Sequence, residues 1–99
     1  MEIKKTQNGE TVLLSLEGRL DTLNSPQLQK TLSEAFPEVA AIELDFERVE
    51  YVSSAGLRVL LLAEKNAISS GKSMTLKNVS DEIMEIFEVT GFTSILSIN

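Results

Sequence analysis

The chain has 99 residues, 42% of them hydrophobic, which suits one small domain, residues 1–99, built around a single core. It has no cysteine and no histidine, which removes disulfides, thiolate metal sites and the commonest general base. A net charge of −6, with lysines and arginines scattered, disfavours nucleic acid and anionic lipid as partners.

Ile3 to Gln7 is predicted as a first strand, closed by an Asn8-Gly9 hairpin turn. Met1-Glu2-Ile3-Lys4-Lys5 lacks the apolar stretch of a signal peptide, and no run of about eighteen apolar residues predicts a membrane span. A cytoplasmic protein without membrane insertion is expected. Thr11 to Glu17 is the second strand, with Val12, Leu14 and Leu16 on one face.

Ser25-Pro26 reads as an N-cap followed by proline at the first helical position. Leu28, Leu32, Ala35 and Phe36 then form the apolar stripe of a helix that Pro37 stops. From Ala41 to Phe46 apolar and polar residues alternate: Ile42, Leu44 and Phe46 against Glu43, Asp45 and Glu47. A strand covered on both faces would be apolar throughout, so helices should cover one side of the sheet only. Ser73 to Lys77 repeats the pattern, with Met74 and Leu76 inward.

A short loop after Phe46 is expected to lead to Ser53-Ser54, where an apolar helix begins. Leu57, Leu60, Leu61 and Ile68 are its predicted core stripe, Val59 and Leu62 broaden it, and Gly71 stops it. A last helix starts at Ser80, with Asp81 and Glu82 in its first turn, Ile83, Ile86 and Phe87 inward, and Val79 placed to pack on Met84. Gly91 ends that helix, and Thr93 to Ile98 is the last predicted strand. The order β-β-α-β-α-β-α-β, with right-handed crossovers, gives an α/β domain: a mixed sheet with three helices on one face.

Several chemistries lack their residues. Ser53 and Ser54 have no histidine to activate them, which excludes a hydrolase triad. There is no phosphate-loop or dinucleotide glycine pattern, and Glu43, Asp45 and Glu47 read as a solvated strand face; no cofactor or metal is expected. Phe87 and Phe92 read as core. The serine pair remains. Serine is a preferred N-cap, yet the unpaired N–H groups and dipole of a helix start also favour an anion there.

Tyr51-Val52-Ser53-Ser54-Ala55-Gly56-Leu57 resembles the signature of STAS domains, particularly free-standing bacterial anti-anti-sigma factors, whose motif is an apolar pair, Asp, Ser, a small residue, Gly and Leu. Gly18-Arg19-Leu20-Asp21 is similar to the family's Gly-x-Leu-Asp. Ser53 stands where the family has Asp, and Ala55 where Ser or Thr is common. The resemblance implies the same fold and a regulatory binding module without catalytic activity. Its unmodified form would bind an anti-sigma factor that is also a serine kinase, freeing the sigma factor. Phosphorylation at Ser54, with Ser53 as the alternative, would end that binding, and a metal-dependent serine phosphatase would restore it. It also implies a partner surface drawn from Asp21, Thr22, Ser53, Ser54, Gly56 and Arg58. Arg58 is placed to pair with a phosphate on Ser54 or to face solvent. At Gly56 the implied role is close backbone approach beside the contact surface, so Gly56→Val should weaken binding more than it lowers the melting temperature. The alternative is a STAS subunit of another assembly, a lipid-transport ABC complex or a stress-signalling complex, using Ser54 as a contact.

Overall fold

The computed structural model describes residues 1–99. Strands β1 (Glu2–Asn8), β2 (Thr11–Leu20), β3 (Ala41–Val52), β4 (Ser73–Lys77) and β5 (Ser97–Ile98) form one sheet in that spatial order. β1 is antiparallel to β2, and every later pair is parallel. Helices α1 (Ser25–Ala35), α2 (Ser54–Ser69) and α3 (Asp81–Val89) make the three crossovers. Each crossover joins adjacent parallel strands, and the buried residues of all three helices share one core with a single face of the sheet. No helix is long and apolar enough to cross a membrane.

The strand alternation sorts the two faces. Val12, Leu14, Leu16, Ile42, Leu44, Phe46, Met74 and Leu76 are buried under the helices. On the open face Glu43 pairs with Lys77 at 3.7 Å, and Asp45 accepts hydrogen bonds from the Glu47 N–H and the Asn78 side chain. Phe87 is fully buried, edge-on to Phe46 at 6.3 Å and stacked with half-buried Phe92 at 6.5 Å, which fixes α3 on the sheet.

The structure corrects the sequence reading at several points. β1 runs to Asn8, so the hairpin turn is Gly9-Glu10, with Gly9 at φ +64°. No loop follows Phe46: β3 continues to Val52, held to β2 through two register shifts, between Ser15 and Glu17 and between Gly18 and Arg19. These bulges rotate the strand phase, so the buried positions become Phe46, Val49 and Val52. Ser25 is no cap. It is the first residue of α1, buried, with its hydroxyl donating to the Asp21 carbonyl; Asn24 precedes it and Pro26 follows in second place. Pro37 lies inside a short 3-10 turn, Phe36–Glu38, that extends α1. Only Ser97–Ile98 of the last predicted strand pairs, since Phe92–Ser94 coils into another 3-10 turn.

The largest correction is in α2. Ile68 is 69% exposed, whereas Glu64 is only 6% exposed. Gly56, Ala63 and Ala67 are small and buried beside Leu60, so α2 settles on that side and turns Ile68 outward. Glu64 goes in with it, and its Oε2 finds no partner. Desolvation by burial raises its pKa above the ordinary 4.5. The folded state therefore holds this proton more tightly than the unfolded chain. The associated stability is present below pH 4.5 and declines as pH rises through the raised value. Glu64→Gln is expected to stabilise the domain by about 1 kcal/mol at pH 7. In denaturant melts its advantage over the unaltered protein should shrink towards pH 4.5. An advantage independent of pH would rule out ionisation as the cause.

Candidate functional site

The carboxyl ends of parallel strands are where ligands and partners meet open α/β sheets. Here that edge gathers the loop after β2 (Asp21 to Asn24), the Ser53-Ser54 junction after β3, and Asn78 to Ser80 after β4. The β2–β3 bulges carry both chains to the same level, so that Leu20 pairs with Val52 and the Ser53 N–H donates to the Leu20 carbonyl at 2.9 Å.

The two serines have different jobs. Ser53 is the N-cap of α2, extended at φ −89° and ψ 175°, and its Oγ accepts from the Gly56 N–H at 3.3 Å. Ser54 is the first helical residue, exposed, with its hydroxyl free of hydrogen bonds within the protein. Geometry alone leaves the N–H groups of Ser54 and Ala55 without intrahelical acceptors. A group added at Ser54 Oγ would therefore meet solvent, the positive end of the helix dipole and spare donors.

Gly56 is buried in the first turn of α2. A Cβ there would sit 2.7 Å from the Leu20 carbonyl oxygen and 2.8 Å from Leu20 Cγ. Gly56 therefore makes the close backbone approach expected of it, against the end of β2.

Asp21 organises its own loop. Its Oδ1 accepts from the N–H groups of Leu23 at 3.1 Å and Asn24 at 3.0 Å, while Oδ2 lies 3.6 Å from Arg19 Nε. The Arg19 guanidinium in turn stacks on Tyr51, 4.4 Å from the ring centroid. Thr22 is exposed on the loop. Arg58 is exposed one turn beyond Ser54, on the same side of α2, and joins none of the ion pairs of the fold. Sequence reasoning missed Leu23, 87% exposed at the tip of the loop, and the Arg19–Tyr51 pair beside the serines. Leu23 carried a usable signal: it is an apolar residue between Thr22 and Asn24 that belongs to no helical or strand period.

These features define an α/β domain whose candidate site is an exposed edge built around a helix start. The chain belongs to the STAS domain family: the family described as "Mlab, STAS domain" matches residues 3–97. It is 32% identical over 88 residues to BtrV of Bordetella bronchiseptica, named as an anti-sigma factor antagonist, covering 88% of this chain and 76% of that protein. It is 27% identical to the anti-sigma-B factor antagonist of Bacillus subtilis, covering 94% of this chain and 85% of that one. Among solved structures, the anti-sigma factor antagonist SpoIIAA from Bacillus has the same fold. Its unphosphorylated form matches with a TM-score of 0.82 at 24% identity, covering 99% of this chain and 88% of that one. Its phosphorylated form matches at 0.77 and 23% identity, covering 99% and 91%.

Proposed function

We propose that this chain is an anti-sigma factor antagonist, a cytoplasmic regulatory binding module with no catalytic activity of its own. Unmodified, it binds an anti-sigma factor that is also a serine kinase, and the sigma factor is released to RNA polymerase. Within that complex the Ser54 hydroxyl attacks the γ-phosphorus of ATP held by the kinase. ADP leaves, and the hydroxyl proton passes to a base on the kinase. The phosphoserine form dissociates, and a metal-dependent serine phosphatase returns the hydroxyl.

One observation carries the choice of residue: Ser53 is consumed as the cap of α2, whereas Ser54 is exposed and free. The similarity to BtrV and to the Bacillus subtilis antagonist supports the class of partner. SpoIIAA, solved with and without its phosphate, supports a fold that tolerates the modification.

The test is to capture binding proteins on the immobilised chain from its native cell and incubate the pair with ATP. A co-purified kinase is expected to add one phosphate, which fragmentation mass spectrometry maps to Ser54. Phosphate on Ser53 would move the acceptor by one residue. Capture of a transporter ATPase, with neither serine modified, would replace this reading with a STAS subunit of another assembly.

A further inference from the structure

Away from the serine edge, the solvent side of α2 continues as a strip of a different kind. Helical spacing places Ser54, Arg58 and Leu62 on one face, with Lys65 flanking Leu62 on the next turn, and all four are exposed. Leu62, 42% exposed, forms part of the wall of a groove of about 200 Å³ between α1 and α2. Five of the eight groove residues are hydrophobic, namely Leu62, Leu32, Phe36, Val59 and Ala63, and none is charged.

Charge is distributed unusually around this groove. The chain carries −6 overall, yet the exposed charges of α2 are Arg58 and Lys65 alone, because its one acid, Glu64, is buried. Neither cation joins an ion pair. At the far end Lys72 donates its ammonium to the Phe36 carbonyl, adding positive charge where α1 finishes. An acidic protein thus presents an apolar groove whose α2 wall, at Leu62, is flanked by two cations outside any ion pair, while the α1 side exposes one charge of each sign, Lys30 and Glu34.

We propose that the α1–α2 groove docks an acidic segment of the partner protein, with an apolar side chain seated against Leu62 and carboxylates paired with Arg58 and Lys65. The inference rests on the binding role proposed for the Ser54 edge and adds the chemistry of the partner's second contact. Charge complementarity selects the occupant. Apolar contact at Leu62 supplies affinity, while the cations repel basic segments and favour acidic over neutral ones. A second copy of the chain would have to offer a different surface, such as acidic α3 with Glu85, Glu88 and exposed Val89. That contact would run head to tail and tend towards open filaments, which disfavours it.

A phage-displayed library of random twelve-residue peptides, selected on the whole immobilised protein, tests this without any kinase. Enriched peptides are expected to carry Asp or Glu on both sides of Leu, Ile or Phe. Titrated into isotope-labelled protein, they should shift the amide signals of Val59, Leu62 and Ala63. Leu62→Lys, and separately Arg58→Glu with Lys65→Glu, should each weaken the enriched peptide at least about tenfold. Circular dichroism should show both variants folded, since the altered side chains are exposed. Peptides without acidic residues, shifts confined to another surface, or unchanged affinity in the charge-reversed variant would overturn the proposal. So would a self-association seen in sedimentation and abolished by Leu62→Lys, which would seat a second copy in the groove. Failure of the groove leaves phosphorylation of Ser54 standing, and the converse holds equally.

Discussion

Ser54→Asp is expected to bind the anti-sigma partner tens of times more weakly than the unaltered protein, and phosphorylated Ser54 up to thousands of times more weakly. Ser54 is exposed at the start of α2, so the added charge costs the free protein little and meets the positive end of the helix. In an interface fitted to a neutral hydroxyl, burying a charge without its partner costs about 2–5 kcal/mol. At ~1.4 kcal/mol per factor of ten, that is the expected range of affinity. Phosphate carries about −1.5 to −2 charges, so the single charge of Asp falls at the lower end. Ser54→Ala should retain binding, lose the modification and shift stability by no more than about 0.5 kcal/mol. Ser53→Ala, which removes the actual cap, should instead cost ~1 kcal/mol. Calorimetric titration of each variant against the captured kinase, beside denaturant melts, checks the set. Tight binding by authentically phosphorylated protein would refute the switch.

Gly56→Val should damage the fold first. The new Cβ would fall 2.7 Å from a backbone oxygen that cannot swing aside, because the Leu20 carbonyl already accepts from the Ser53 N–H at 2.9 Å. Even Gly56→Ala must push α2 away from the end of β2. Overpacking of this kind costs about 1–3 kcal/mol, against a gain of ~1 kcal/mol in helix propensity, so the alanine variant should lose up to about 2 kcal/mol. Valine adds a branched side chain to the same collision and should cost more. Small domains lose roughly 4–8 °C of melting temperature per kcal/mol, so thermal melts resolve both variants. A Gly56→Val protein that melts like the original would show that α2 has room to lift.

How much of this was legible in the sequence differs between elements. Strands and helices follow from apolar period: Ile42, Leu44 and Phe46 alternate and are buried, and Leu28, Leu32 and Ala35 recur at helical spacing and are buried. The one-sided sheet follows from the same alternation, since Glu43 and Asp45 stay off the core face. A serine pair before a glycine marks where an apolar helix starts, while the choice of a serine there as acceptor comes from the resemblance of Tyr51 to Leu57 to the STAS signature. Periodicity reports only which residues share a face, and it cannot fix how a helix is rolled about its axis. That roll was set by Gly56, Ala63 and Ala67 packing beneath α2, which buried Glu64 and exposed Ile68.

Nor does local sequence reveal strand register. Two bulges against β2 extended β3 to Val52 and brought Leu20 beside Ser53. That pairing is what brings Arg19 and Asp21 beside Tyr51 and the serines that follow it. The division of labour between the serines was also a tertiary decision. Either hydroxyl suits a cap, but only the residue held in extended conformation by the Leu20 hydrogen bond can direct its oxygen at the Gly56 N–H. Sequence alone therefore determined the elements, their apolar faces and a helix beginning at two serines. The contact between α2 and the end of β2 decided which serine is left free, because a cap depends on the backbone angles of one residue, and those are imposed from across the sheet.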